Sequence, residues 1–260
     1  MAQIPRWYYP GRALPPLPAL PNGAGPLKFT AVVPARNEAA NLVPILHYLK
    51  KYADEILLVD GHSTDGTPEL GRALGIEVIQ DQGLGKGAAL REGIVRARND
   101  YIVCMDADGS HDPGDIPSLL RPLVQRDADH VSGSRMIGGS EELHATLGQS
   151  IRLFGSQVVT LLINYTQNVR LTDCQNGFRA LRRDVALDLR LSENIHTIEQ
   201  EMIIKSLRRG YRVVEVPTHE YARANGDSSF KIKDVWLRFG ITLLYFLFFW
   251  DPTGRGRTAG

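Results

Sequence analysis

Between Phe29 and Met105 the chain repeats one order, a short β-rich apolar run, a polar turn and a helical pattern, and few folds accept that order. Phe29 to Val33 is an apolar run ending at Pro34, followed by a helical pattern with Asn41, Leu42, Ile45, Leu46 and Leu49 on its inner face. Glu55 to Val59 is the second run, closed by Asp60-Gly61-His62-Ser63-Thr64-Asp65-Gly66-Thr67, and Pro68 to Leu74 reads as a helix stopped by Gly75. Ile76 to Ile79 is the third run, Gly83-Leu84-Gly85-Lys86-Gly87 opens a helix through Ala97, and Tyr101 to Met105 is the fourth run. This βαβαβαβ order predicts a Rossmann-like, mostly parallel sheet covered by helices on both faces. Beyond Pro113 the pattern predicts a helix, a strand over Ala128 to Ser132, helices near Ile151 to Asn164 and Ile198 to Arg209, and a last strand over Arg212 to Val216.

In such a sheet the ligand crevice lies at the carboxyl ends of the strands, so the chemistry is expected after Val33, Val59, Ile79 and Met105. Asp106-Ala107-Asp108 follows the fourth run and puts two carboxylates on one side of an extended segment. Like charges so close need a cation, and a hard divalent ion such as Mg²⁺ or Mn²⁺ also leaves open positions for phosphate oxygens. Lys86, flanked by glycines, stands where the backbone can approach an anion. Charge elsewhere is balanced, with 30 Lys and Arg against 29 Asp and Glu, which argues against nucleic acid as a partner. Cys104 and Cys174 are too few for a disulfide framework and fit a reducing, cytoplasmic location.

Pro34-Ala35-Arg36-Asn37-Glu38, Asp60 through Thr67, Lys86-Gly87-Ala88-Ala89 and Asp106-Ala107-Asp108 together resemble family 2 glycosyltransferases. Gly133-Ser134-Arg135, Asp173-Cys174-Gln175-Asn176-Gly177-Phe178-Arg179 and Gly210 to Pro217 are similar to the dolichol-phosphate mannose synthase branch. The resemblance runs from about Thr30 to Lys231. It implies the GT-A fold and an inverting transfer of a hexose from a nucleotide-diphosphate sugar, of the GDP-mannose or UDP-glucose type, to a polyprenyl phosphate. A hydroxyl acceptor, or a nucleotide-binding scaffold without activity, is the alternative. By the same resemblance Pro34, Arg36 and Glu38 contact the nucleoside, Asp60 or Asp65 the base or ribose, and Asp106 and Asp108 the metal, with the Ser110 hydroxyl of this chain a third metal contact, direct or through water. Arg135 and Arg179 approach the diphosphate or acceptor phosphate, and Arg223 and Lys231 flank Gly226-Asp227-Ser228-Ser229, similar to a loop that closes on phosphates. Two departures stand out. Asp60-Gly61-His62-Ser63 replaces the usual Asp-Asp-Gly-Ser, removing one acidic nucleoside contact, and Gly109-Ser110-His111 replaces the Gln-containing segment after the metal motif.

Three segments follow from composition. Residues 1–27 form a Pro- and Gly-rich arm, disordered or clamp-like, with Trp7, Tyr8 and Tyr9 available to pin it; residues 28–233 form the catalytic domain. Residues 234–260 carry the apolar run Trp236 to Trp250, which is shorter than the roughly 20 residues of a spanning helix. Docking on a membrane surface is its expected use, giving a protein held peripherally on the cytoplasmic face, and a homo-oligomer interface is the competing use.

Overall fold

The structure, a computed structural model, describes residues 3–21, 25–142, 147–225 and 232–253, without the side chains of 147–149, 151–152 and 232–236. Lys231 and the Gly226–Ser229 segment therefore lie outside the described residues, as do the side chains of Lys233 and Trp236. The order is β1 (Phe29–Ala35), α1 (Ala39–Tyr52), β2 (Glu55–Asp60), α2 (Thr67–Ala73), β3 (Glu77–Gln80), α3 (Lys86–Arg96) and β4 (Tyr101–Cys104). It continues through α4 (Ile116–Val124), β5 (His130–Ser134), α5 (Arg135–Gly138), α6 (Leu147–Gln167), β6 (Arg179–Arg182) and α7 (Arg183–Asp188). Then follow α8 (Ile198–Arg208), β7 (Val213–Pro217), α9 (Ile232–Leu244) and a π-helical turn, Tyr245–Phe249.

The strands form one sheet in the order β3-β2-β1-β4-β6-β5-β7. Only β6 runs against its neighbours, pairing antiparallel with β4 and β5, so the sheet is mostly parallel as the repeat requires. Alternation along the central strands feeds two cores. Ala31, Val33, Ile56, Leu58 and Val103 pack towards α1 and α4, whereas Val32, Leu57, Val59, Ile102 and Cys104 pack towards α3 and α8. Both faces of β1 and β2 are buried, which is why Ala31 to Ala35 and Ile56 to Val59 are apolar without interruption. β6 has no such signature. It is a four-residue strand, Arg-Ala-Leu-Arg, and the sequence pattern contains nothing to mark it.

A third core joins Ile163 of α6, Ile203 and Ile204 of α8, and Leu243, Phe246 and Leu247 of the C-terminal run. That run therefore buries one apolar face on α8 and leaves a second apolar face exposed. Trp250 packs at this core with the cations of Lys205, Arg208 and Arg209 at 5.1, 5.8 and 5.5 Å from its ring. At the other end the N-terminal arm joins the main core, since Trp7 is only 3% exposed and lies 5.9 Å from the Tyr48 ring.

Candidate active site

The carboxyl ends of β1, β2 and β4 meet at one crevice, and their loops hold each other. Asn37 adopts a left-handed conformation (φ 57°) at the turn out of β1, where its N–H donates to Ser63 Oγ at 2.8 Å and its Oδ1 accepts from Thr64 N at 2.8 Å. Asp65 accepts from Ala39 N at 2.9 Å and from Thr67 N at 3.0 Å, so it closes the start of α1 onto the second loop. These bonds to N–H and hydroxyl donors outweigh burial and hold its carboxyl below the usual range. Asp60 accepts from Ser63 N at 3.1 Å, while its buried Oδ1 has no partner among the described residues. His62 is left-handed (φ 60°) at a glycine position of the motif, with Nε2 2.9 Å from the Asp81 carbonyl and Nδ1 3.2 Å from Gln80 Nε2. Arg36 is exposed, and Pro34 is buried within β1, in register with Val59.

The Asp-x-Asp pair is held by two cations of the protein itself. Lys86 Nζ lies 2.7 and 2.9 Å from the two oxygens of Asp106 and 2.8 Å from Glu199 Oε1. Burial opposes the Lys86 charge, but these carboxylates outweigh it and raise the ammonium above its ordinary range. Burial likewise pushes the Asp106 carboxyl up, yet Lys86, then His111 and His196, outweigh it and hold it well below the carboxylate range. Gly177 is needed here for space, because a Cβ would lie 2.7 Å from Asp106 Oδ2 and 2.8 Å from Lys86 Nζ. Asp108 Oδ1 accepts from Ser110 N at 3.0 Å and Ser110 Oγ at 2.7 Å, and its Oδ2 meets Arg223 at 2.7 Å. Arg223 also lies 3.7 Å from Glu38, whose carboxyl burial pushes up to about 7 against the Asn41 amide, with Asp108 adding to the rise. His111 is buried and stacked on Phe178 at 5.0 Å.

The other two arginines do different work. Arg135 grips Asp173 with Nε at 2.6 Å and a second nitrogen at 2.9 Å, and reaches Glu220 at 3.1 Å. It ties the Asp173 loop to the segment after β7. Arg179 is wholly buried on β6 and donates to the carbonyls of Glu199, at 3.1 Å, and Asn176. Its guanidinium is spent on backbone carbonyls, and the cations that touch the Asp-x-Asp carboxylates are Lys86 and Arg223. Glu199 was not foreseen. Its only sequence signal is an acidic first turn of α8, which normally reads as a helix-dipole contact.

A divalent cation fits this donor set. Two carboxylates and the Ser110 hydroxyl are hard oxygen ligands, and no group of three or more His, Cys, Asp or Glu among the described residues closes a cage around an ion. A two-carboxylate site completed by substrate phosphates and water is the arrangement Mg²⁺ favours.

Residues 30–190 match the profile of Glycosyl transferase family 2. Glycosyltransferase AglJ of Haloferax volcanii is 30% identical over 203 residues, which cover 76% of this chain and 64% of AglJ, so the chain spans under two thirds of that relative's length. A dolichyl-phosphate hexose transferase of the same organism is 28% identical over 199 residues, covering 75% of this chain and 84% of that one. Among solved structures, glucosyl-3-phosphoglycerate synthase from Mycobacterium tuberculosis with Mn²⁺ and UDP-glucose superposes with a TM-score of 0.67 at 21% identity, covering 86% of this chain and 80% of that one. At that identity the likeness is one of fold, and the fold is GT-A.

Proposed function

Since the chain belongs to glycosyl transferase family 2, we propose that it transfers a hexose from a nucleotide-diphosphate sugar to a polyprenyl phosphate by a single inverting displacement. The observation that carries the reading is the pairing of Asp106 with Lys86 and of Asp108 with Arg223 at the crevice. That pairing would supply two carboxylates for a metal and two cations for phosphates in one place. A relative named dolichyl-phosphate hexose transferase supports the acceptor class.

Asp106, Asp108 and Ser110 would hold Mg²⁺ or Mn²⁺, which when bound neutralises charge growing on the leaving diphosphate. Arg223 pairs with Asp108 at 2.7 Å, and its planar guanidinium would be placed to bind a phosphate beside a divalent ion held there. Lys86 keeps Asp106 ionised through its direct contact. Asp60, with one buried oxygen unpartnered among the described residues, would offer an acceptor for a donor group of the nucleoside, beside Pro34, Arg36 and Glu38. A polyprenyl phosphate oxygen is already anionic near neutral pH, so the displacement needs no strong base from the protein.

The acceptor class also suits the surface. On α6 the side chains of Phe154, Leu161 and Tyr165 are exposed, Tyr165 by 87%, and the C-terminal run exposes Leu237, Ile241, Phe248 and Phe249, the last by 75%. Both elements pack on α8 through their other faces. No helix among the described residues is long and apolar enough to cross a membrane, so this face would lie on the bilayer rather than span it. The deciding experiment is transfer from a panel of nucleotide sugars to a short polyprenyl phosphate and to a hydroxyl acceptor, with Mn²⁺ or with chelator. Asp108→Ala should lose transfer by a factor on the order of 10² or more, as for loss of one charge-stabilising group. Full activity of that variant, or of the wild type in chelator, would remove the metal role.

A further inference from the structure

The arm preceding the sheet touches the candidate site on both sides. The Trp7 Nε1–H donates to the Gly109 carbonyl at 2.8 Å, one residue past Asp108. Gly109 has φ +79°, and a Cβ there would meet Pro5 Cγ at 3.1 Å and Ala224 Cβ at 4.0 Å, so this turn is sandwiched between the arm and the segment that carries Arg223. Further along, Arg12 holds Asp112 at 2.7 Å. On the opposite side Gln3 N donates to Asn225 Oδ1 at 2.7 Å, and Asn225 Nδ2 donates to Gln3 O at 2.8 Å and to Asn41 Oδ1 at 2.8 Å. Asn41 in turn donates to Glu38 at 2.7 Å.

We infer that residues 3–12 are a positioning strap for the donor site: they fix the Asp108-Gly109-Ser110 turn from below and hold the 220–225 segment so that Arg223 faces Asp108. The inference rests on the metal and diphosphate reading above. The Gly109 carbonyl is satisfied by the indole and the Pro5 ring packs beside the Gly109 Cα, so without that donor the turn must re-aim the carbonyl, and the Asp108 carboxylate moves with it. Tyr221 N donates to Ser110 O at 2.9 Å, which couples the turn to the Arg223 segment directly. Trp7 and Asn225 have no part in the chemistry and act through Asp108 and Arg223, as positioning residues.

Two variants test this with the full chain. Trp7→Phe keeps an aromatic ring in the core while removing the N–H and part of the indole, and Asn225→Ala removes the clip at a half-buried site. Binding of Mn²⁺ alone, read by electron paramagnetic resonance, and of UDP and GDP with Mn²⁺, read by calorimetry, is measured well below the melting temperature. Amide hydrogen exchange is followed over 106–112 and 219–225 in the same samples. The expected result is faster exchange in both segments, with Mn²⁺ affinity of Trp7→Phe weakened about tenfold, the scale of one lost hydrogen bond. Asn225→Ala should weaken the Mn²⁺-nucleotide complex by a similar factor. Unchanged exchange in both variants overturns the strap, and so does faster exchange with Mn²⁺ and nucleotide affinities within twofold of wild type, because the arm is then only packing. A wild type that binds no Mn²⁺ overturns the metal reading and the strap's role together, and is told apart by that wild-type measurement.

Discussion

Replacing Lys86 by Met asks how the crevice tolerates its own negative charge. The ammonium contacts both Asp106 oxygens and Glu199 Oε1, all within 2.9 Å. Met keeps most of the apolar stem and removes the charge. Glu199, with a side chain 4% exposed and Oε2 already without a partner among the described residues, would be left as a buried carboxylate without its direct ion pair. Breaking a buried pair from one side costs about 3–5 kcal/mol. Because the Asp106 side chain is 24% exposed and that of Lys86 16%, solvent recovers part of this, and a loss of about 3 kcal/mol is expected. For a chain of this size that is a melting point lower by roughly 6–12 °C in chelator at pH 7.5. The sign with pH is fixed by Asp106, whose carboxyl is held below its ordinary value: its contribution is fully present above the unfolded value near 4 and is lost as pH falls through the lower folded value. The variant, having lost the group that depresses this carboxyl, should protonate the site readily in acid, so the deficit narrows towards pH 4. Mn²⁺ at about 100 times its dissociation constant should return about 2.7 kcal/mol to the variant. Calorimetric melts of both proteins, with and without Mn²⁺, provide the test. Melting points within 2 °C of each other in chelator at pH 7.5, a difference below roughly 1 kcal/mol, would show that the pairing contributes nothing and that the electrostatic account of the crevice is wrong.

Three further outcomes are expected. Burial, then Asp112, pushes the Asp115 carboxyl up to about 6, so this group favours the fold below about pH 4 and loses that advantage as pH rises through 6. Asp115→Asn should therefore unfold at higher urea than wild type at pH 8, by about 1–3 kcal/mol, and at nearly the same urea at pH 4, while an equal difference at both would refute the assignment. Arg179→Ala should lose about 2–4 kcal/mol of stability by urea titration, through a cavity and two orphaned carbonyls; unaltered stability with transfer slowed 100-fold would restore its expected role at the phosphates. The double change Ile241→Glu and Phe249→Glu sits on exposed positions and should release the protein from liposomes, since each large apolar side chain contributes roughly 1.5–3 kcal/mol when buried. Loss of oligomers in light scattering with flotation intact would assign the face to self-association instead.

The contrast between Asp106 and Arg179 shows which part of the site the chain discloses. Asp106 and Asp108 belong to one extended segment, so alternation along that segment already sets them on one side, and the preceding apolar run places them at a strand end. The same local logic gives the central strands, because Val32 and Val33 must face opposite layers once both layers are helical. Arg179 obeys alternation too, sharing its face with Leu181. Which face that is depends on β6 pairing antiparallel with β4, where Arg179 stands opposite Cys104 and so points towards α8. No periodicity within Arg-Ala-Leu-Arg encodes that partner. A motif can therefore bring a cation to the right loop and leave its direction open by half a turn. Lys86 and Arg223 meet the acidic pair from α3 and the segment after β7, Glu199 of α8 holds Lys86, and Trp7 reaches the neighbouring Gly109 carbonyl from ahead of β1. Each of those contacts is set by how the elements pack, and charge balance alone supplies their sign: two neighbouring buried carboxylates must find cations, and packing decides which ones.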